Sequence, residues 1–589
     1  MKYVLVTGGG GSGIGKTVAA SSIGVILKAC SLRVTFIKID PYLNTDAGTI
    51  SPAERGEVFV LNDGSEVHMD LGDYERFLDV ELTGDNNITA GKIYRFVIDK
   101  ERRGDYLGKT IQIVPHITDA IQEWIKRVAM IPVDGREGPP DVCIIELGGT
   151  IGDIESRPFT EALSQFSCRA GPKNFCLVHV SLVPVINVVG EQKTKPTQYS
   201  VRCLRDLGLA PDLLACRSTT PLNKNVKEKL SQFCNVPVEC IITLHDIPNI
   251  WHLPSLLKDQ KGHEAILKML GLACLAIEPK LDEWMERTTC EHLHDPVKIA
   301  VVGEHPYHAN AYHSVFEAIR HASVACQRRL VVNWFPASDV VQETAESPDL
   351  HDKAWSLLKC ADGVLVPGGF GHVEGKILAA KYARENNVPY LGICLGMQVA
   401  VIEFARSNLG LKDANIGELD AGTRHPCLIL MPESSETLMR VGTKRTFFRT
   451  TDCKAARLYG NAKYVDERQR QRYMVNPEMV DKLESAGVSF VGMDETGQRM
   501  EILELPSHPY FVGVQFHPEF KSRPGKPSPL FMGLIAASSG QLDTESTSLG
   551  LGNRPIPMKL VLSGSSFGYP SGRKDGLLGL HSSGAALAR

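Results

Sequence analysis

The sequence predicts an α/β protein built from two doubly wound domains. Short, nearly continuous β-branched runs alternate with helical stretches through the first half. The alternation restarts, without repeating the sequence, after a charged stretch poor in strand formers from Glu278 to Pro296. A glycine-rich turn follows the first apolar run and gives the first domain a P-loop character.

In the first half the predicted strands are Tyr3 to Thr7, Arg33 to Ile39, Val142 to Leu147, Phe175 to Val183, Leu213 to Cys216 and Ile241 to Leu244. Continuous apolar strands separated by helices imply a parallel sheet covered on both faces. A new strand and glycine turn begin at Val297-Lys-Ile-Ala-Val-Val-Gly303, followed by strands at Gly363 to Pro367, Val388 to Ile393, Ser489 to Val491, Met500 to Leu505 and Phe511 to Phe516. The predicted division is 1–275, a linker 276–297, 298–540, and a disordered tail 541–589. The tail is Ser- and Gly-rich with little apolar periodicity, so it cannot offset the entropy of ordering.

A chain of 589 residues with 43% hydrophobic and 22% charged residues has a globular balance. Its 64 Lys+Arg against 68 Asp+Glu give no sign of a general nucleic-acid binder. The fifteen cysteines lack the spacing of a secreted scaffold or zinc knuckle, which predicts reduced thiols. No apolar run reaches the ~20 residues of a membrane span, and the first residues lack a signal-peptide pattern. The expected location is the cytoplasm.

Gly8-Gly-Gly-Gly-Ser-Gly-Ile-Gly-Lys-Thr17 contains the G-x-x-x-x-G-K-T spacing from Gly10 to Thr17 and leads into a helical pattern from Val18 to Lys28. Glycines let backbone amides curl around phosphate oxygens, the helix N-terminus favours negative charge, and Lys16 neutralises terminal phosphates. A plain flexible glycine turn is the alternative. Two acids could complete a Mg²⁺ site, Glu146 at a strand end and Asp70. By itself, Asp70 reads more readily as a solvated loop acid. The segment Gly190-Glu-Gln-Lys-Thr-Lys-Pro-Thr-Gln198 offers Lys193, Lys195, Thr194, Thr197 and Gln198 as a cradle for a second triphosphate and a base edge. In isolation it could equally be a basic surface loop.

Val388-Pro-Tyr-Leu-Gly-Ile-Cys-Leu-Gly-Met-Gln398 places Cys394 between an apolar strand and a helix, flanked by Gly392 and Gly396. A sharp strand-to-helix turn presents that side chain outward, and the helix N-terminus favours a thiolate. Pro367-Gly-Gly-Phe370 and the Leu395 amide could supply oxyanion donors. In Val514-Gln-Phe-His-Pro-Glu519, His517 and Glu519 share one side of an extended segment. Together the three side chains fit the nucleophile, base and orienter logic of a hydrolytic triad.

These residues carry a resemblance. Gly392-Ile-Cys-Leu-Gly-Met-Gln398 with Phe516-His-Pro-Glu519 resembles a class I glutamine amidotransferase. Ile37-Lys-Ile-Asp-Pro-Tyr42, Asp73-Tyr-Glu-Arg-Phe77, Gly148-Gly-Thr-Ile-Gly-Asp-Ile-Glu155 and Gly190 to Gln198 resemble the amidoligase domain of the CTP synthase family. The likeness covers about residues 1 to 540 and implies a P-loop-type amidoligase domain followed by an amidotransferase domain.

It also implies a reaction, in which ATP phosphorylates O4 of UTP and glutamine-derived ammonia, travelling inside the protein, displaces the phosphate to give CTP. ATP would lie on Gly13, Ile14, Gly15, Lys16, Thr17 and Val18 with Lys38, and Mg²⁺ on Asp70 and Glu146. UTP, or CTP as inhibitor, would contact Ser12, Asp153, Ile154, Glu155, Lys193, Thr194, Lys195, Pro196, Thr197, Gln198 and Lys229. Lys109 and Gln112 would come from a neighbouring subunit. Glutamine would be held by Gly369, Leu395, Gly396, Met397, Gln398, Glu418 and Arg472. A homotetramer, filaments and GTP activation are further implications of the resemblance.

Departures from the family pattern fall inside its motifs. Gly10 and Gly11 replace aliphatic residues, Thr17 replaces Gly, and His68-Met69 replace Asp-Leu beside Asp70. Phe370-Gly-His-Val-Glu-Gly375 is shortened and lacks an Arg-Gly, and Thr437 to Gly442 lacks the Gly-Gly-Thr of a lid. Gln469 and Gln471 replace histidines and Met474 replaces an acid. The expectation is weakened or absent GTP activation. Two competing readings are a catalytically impaired regulatory or structural paralogue, and a glutamine-dependent amidoligase with another acceptor.

Overall fold

The computed structural model describes residues 1–186, 190–290, 293–304, 309–342, 348–369, 371–417, 423–432 and 439–542. The predicted tail beyond 542 and Glu418 lie outside the described residues. So do Phe370 of the shortened segment and Thr437 and Leu438 of the shortened lid.

The first sheet has seven parallel strands, β1 (Lys2–Gly9), β2 (Val34–Asp40), β3 (Asn87–Thr89), β4 (Val142–Leu147), β5 (Phe175–Leu182), β6 (Leu213–Ser218) and β7 (Ile241–His245). Their spatial order is β7-β6-β5-β1-β4-β2-β3. Side chains of β1 alternate between faces, as a strand requires. Val4 and Val6 pack with Ile23 and Ile26 of helix α1 (Lys16–Ala29), whereas Tyr3 and Leu5 pack with Ile93, Ile121 and Phe159 on the other face. Because β2 lies to one side of β1 and β5 to the other, the loop after β1 opens at a topological switch point, where α/β sheets collect ligands. Helices α2 (Asp70–Leu78) and α3 (Lys195–Asp206) bring further residues to that end.

The second sheet has nine strands, β8 (Pro296–Gly303), β9 (Arg329–Pro336), β10 (Gly363–Val366), β11 (Tyr390–Ile393), β12 (Arg440–Phe448), β13 (Tyr464–Gln471), β14 (Ser489–Met493), β15 (Met500–Glu504) and β16 (Phe511–Val514). The order is β9-β8-β10-β11-β16-β15-β14-β12-β13. Strands β9 to β16 in that order pair parallel, and the ladder then turns antiparallel. Helices α4 (His313–Ala325), α5 (Val373–Glu385) and α6 (Leu395–Asn408) cover it.

Strands β3, β9, β12 and β13 are not among the predicted ones. Tyr464–Gln471 shows why, since YVDERQRQ lacks the apolar alternation by which a half-buried strand is recognised. Its polar side chains are matched by polar partners in the first half. Arg468 and Arg470 reach Glu75 and Glu66, and the Thr443 amide donates to the Asn62 carbonyl. The two halves also meet where Phe59 stacks edge-on against Phe520. The segment expected to be a linker contains a helix, Asp282–Thr288, whose Trp284 packs on Trp251 and Phe77 and donates to the Trp251 carbonyl at 2.7 Å.

Candidate active sites

At the first sheet's carboxyl edge, the last two residues of β1 leave no room for side chains before the turn. A Cβ at Gly8 would stand 2.5 Å from Lys16 Cδ, and one at Gly9 would stand 1.7 Å from Ser200 Oγ. Gly13 and Gly15 take the left-handed backbone that glycine favours and face open space. Helix α1 then begins at Lys16, so its free amides point at the turn. Burial lowers the Lys16 ammonium from its usual range, with Glu146 opposing that effect.

Below this turn sits a buried charged cluster. Lys38 Nζ bridges Asp70 Oδ2 and Glu146 Oε1, 2.5 Å from each. Thr17 Oγ1 donates to Glu146 Oε1 at 3.2 Å and the Tyr74 hydroxyl donates to Glu146 Oε2. Burial alone would raise Asp70, but Lys38 and His68 hold it well below the usual carboxylate range. Burial likewise opposes the charged form of His68, and Asp70 outweighs it, raising the imidazole to about 8. The reading of Asp70 as a solvated loop acid is thus corrected: it is 8% exposed, at the start of α2. An isolated acid looks solvated in sequence because its cation, Lys38, lies on another strand.

The structure distributes the remaining expected nucleotide contacts around this edge. Ser12, Asp153, Ile154, Glu155, Lys195 and Lys229 are exposed, and Asp153 is tied to the Thr150 amide at 2.7 Å. Lys193 pairs with Glu191 at 2.6 Å. Thr194, Thr197 and Gln198 are buried near the start of α3, with Thr197 donating to the Leu182 carbonyl and Gln198 to Thr194. Lys109 and Gln112 lie exposed on a separate loop.

At the second sheet, Cys394 joins β11 to α6 with φ 51° and ψ −103°, a conformation rare for a residue with a Cβ. Close approach enforces it. A Cβ on Gly396 would stand 2.1 Å from the Val366 carbonyl oxygen, and one on Gly392 would stand 2.6 Å from the Gly396 backbone. His517 donates from Nδ1 to Glu519 Oε1 at 2.7 Å and packs beside Cys394 across Gly368, but its Nε2 has no hydrogen-bond partner among the described residues and the Cys394 thiol donates instead to the Arg470 carbonyl at 3.7 Å. Burial would lower His517, but Glu519 and Cys394 outweigh it and push the imidazole up to about 10. The triad expected from sequence is brought together. Its orienting acid, however, sits in a short 3₁₀ turn, Pro518–Lys521, rather than an extended segment.

Gly368 is packed against Cys394 and His517, with Gly369 next to it at φ 118°. Leu395, Gly396, Met397 and Gln398 form the first turn of α6, and Arg472 follows the end of β13. Sequence reasoning missed Gln515, whose amide donates toward Cys394 Sγ at 3.7 Å, and Tyr74 on Glu146. Gln515 lies within the Val514–Glu519 motif, two residues before His517.

Among the described residues no group of three or more His, Cys, Asp or Glu side chains is arranged to hold a metal by itself. Asp70 and Glu146 nevertheless fit a Mg²⁺ ion that takes its other oxygens from phosphate and water: two buried carboxylates already converge on one cation, the Lys38 ammonium. No helix among the described residues is long and apolar enough to cross a membrane.

Comparison with known proteins assigns a family to each half. Residues 2–272 match the family described as CTP synthase N-terminus, and residues 307–537 match glutamine amidotransferase class-I. The CTP synthase of Dictyostelium discoideum is 53% identical over 573 residues, covering 92% of this chain and all of that protein. CTP synthase 1 of Homo sapiens is 53% identical over 552 residues, covering 92% of this chain and 93% of that protein. The solved glutaminase domain of Trypanosoma brucei CTPS with bound acivicin is 36% identical, covering 42% of this chain and 94% of that one, at a TM-score of 0.39. With two family domains in this order and such identity across nearly the whole length, the chain belongs to the CTP synthase family.

Proposed function

We propose that the protein aminates UTP to CTP, using ATP and ammonia released from glutamine. The observation that carries this reading is the coexistence of a buried Lys38–Asp70–Glu146 cluster under a phosphate-binding turn with a Cys394–His517–Glu519 triad on the second sheet.

Lys16 and the amides at the start of α1 hold the triphosphate of ATP while the O4 oxygen of UTP attacks the γ-phosphorus, giving 4-phosphorylated UTP and ADP. Mg²⁺, held by Asp70 and Glu146, would supply neutralising charge for the phosphates. Lys193 to Gln198, with Ser12, Asp153 to Glu155 and Lys229, line the pyrimidine nucleotide for which UTP and CTP compete.

At the second site Cys394 Sγ attacks the carboxamide carbon of glutamine, with the Gly369 and Leu395 amides facing the oxyanion. His517, oriented by Glu519, passes a proton to the departing ammonia. Water then hydrolyses the thioester to glutamate. The ammonia moves through the protein to C4 of the phosphorylated nucleotide and displaces phosphate. Glu418 and Arg472 complete the proposed glutamine contacts.

The proposed division is an amidoligase unit to about 275 and an amidotransferase unit from about 298, acting in the cytoplasm. A homotetramer, capable of filaments, is supported by exposed apolar side chains at Leu107, Ile113, Val114 and Ile154, near Lys109 and Gln112. GTP activation is weak or absent, as the shortened loops imply. Nothing favours an impaired paralogue: Lys16, Glu146, Cys394, His517 and Glu519 are all retained, and His517 is oriented by Glu519.

The test is CTP formation from UTP and ATP with Mg²⁺, supplied in parallel with ammonium, glutamine, and glutamine plus GTP. CTP in the ammonium and glutamine arms, with little added by GTP, is expected. No CTP in any arm from folded protein that binds nucleotide would overturn the reading.

A further inference from the structure

One buried charge in the second half has no part in the chemistry above. Lys376 lies in the first turn of α5 with its side chain 0% exposed, and its Nζ is 3.1 Å from Glu304 Oε1 at the end of β8. A lysine in a helix's first turn opposes the helix dipole, and complete burial of an ammonium is costly even when it is paired. An apolar side chain of similar length would stabilise this position better.

What the pair touches accounts for its place. A Cβ on Gly371 would stand 2.1 Å from Glu304 Cδ, so the carboxylate lies directly against that backbone. The Glu304 amide donates to the Tyr312 hydroxyl at 3.0 Å, and the same hydroxyl is 3.9 Å from where a Gly369 Cβ would be. On the other side, Gly368 presses on Cys394 and His517. The glycine turn is thus held between the catalytic pair and the Glu304–Tyr312 edge. Gly369 and Gly371 both have positive φ, and glycine backbone is too permissive to hold such a shape unaided.

We propose that the buried Glu304–Lys376 pair is a positioning device that fixes the Gly369 amide for the oxyanion formed when Cys394 attacks glutamine. It rests on the glutaminase reading above. The pair touches neither substrate nor the reacting atoms. Burial lowers the Lys376 ammonium, and Glu304 counteracts that most strongly.

The test uses the full chain and the variants Lys376→Met, Glu304→Gln and the doubly neutral Glu304→Gln/Lys376→Met, which leaves no unpaired buried charge. Three readouts are taken: glutamine hydrolysis, ammonium-driven CTP formation, and the rate at which iodoacetamide alkylates Cys394, followed by mass spectrometry of its own peptide. Alkylation requires the thiolate but no oxyanion donor. Expected in the double variant are a roughly tenfold or greater fall in glutaminase kcat, KM within about twofold, and unchanged alkylation and ammonium-driven rates. A double variant that keeps its ammonium-driven rate and its glutaminase kcat within about twofold overturns the proposal. So does a kcat loss matched by equally slowed alkylation, which would place the effect on the thiol. Wild-type protein that makes CTP from ammonium but hydrolyses no glutamine would instead overturn the glutaminase reading beneath it.

Discussion

Glu75 of the first half and Arg468 of the second form a two-pronged ion pair, with Nη1 on Oε2 at 2.8 Å and Nη2 on Oε1 at 3.1 Å, both side chains at most 1% exposed. The flanking geometry links the two chemistries. Glu75 is one residue from Tyr74, which holds Glu146, and the Arg468 carbonyl accepts from the His517 amide at 2.8 Å. Arg523 adds a third charge on Glu75 at 2.7 Å. Removing one partner of such a pair strands the other's charge at a cost of about 3–5 kcal/mol. Glu75→Gln should therefore lower Tm. In protein that still folds, glutamine-driven CTP formation should fall more than ammonium-driven formation. Equal losses in both arms would show that the pair is only a structural clasp.

Cys394→Ala removes the sulfur and leaves the strained turn to a residue with the same Cβ. Glutamine-driven CTP formation should fall at least about a thousandfold, while ammonium-driven formation stays within about twofold. Parallel steady-state assays with the two nitrogen donors check this. A Cys394→Ala protein that still uses glutamine would remove the thiol from the mechanism.

His68 competes with any cation for Asp70, because its Nδ1 stands 3.2 Å from Asp70 Oδ2 and the carboxylate raises its affinity for a proton to about 8. At pH 7 the imidazole is therefore largely charged. His68→Asp removes that charge and adds a carboxylate at the same place. The Mg²⁺ concentration giving half-maximal ammonium-driven CTP formation should drop several-fold, and titration of Mn²⁺ binding by paramagnetic resonance should shift the same way. An unchanged or increased metal requirement would contradict the assignment of Asp70 to the metal.

The parts of both sites written as contiguous motifs were legible before the fold. The turn ending in Lys16-Thr17, the Cys394 elbow and the His517/Glu519 pair each carry strand, turn and helix signals within a few residues. What escaped depends on partners far apart in the chain. Asp70 looks solvated until Lys38 is brought to it from β2, and β13 looks like a loop until Arg468 and Arg470 find Glu75 and Glu66. Lys376 gives no local sign that it is buried, since its partner Glu304 precedes it by a long stretch of sheet and helix. Periodicity reports burial of apolar faces and is blind to charges satisfied across an interface.

That blindness has a measurable counterpart at Glu467. Its side chain is almost fully buried, Oε1 accepts from the Tyr459 hydroxyl at 2.8 Å, and Oε2 has no hydrogen-bond partner among the described residues. Burial raises its carboxyl to about 7, with Lys521 and Tyr459 opposing. Between the ordinary carboxylate range and pH 7, the folded state therefore holds a proton that the unfolded chain has lost. Ionisation of Glu467 thus destabilises the fold progressively from about pH 4.5 to pH 7, and the full penalty persists above that. Glu467→Gln keeps the acceptor for Tyr459 and cannot ionise. It should raise stability at pH 8 by about 3 kcal/mol at most, with the advantage vanishing as the pH falls below about 4.5. Denaturation midpoints of wild type and variant at pH 4.5, 6 and 8 check this. A difference that stays constant across that range would show that Glu467 is ionised in the fold throughout and compensated by a partner.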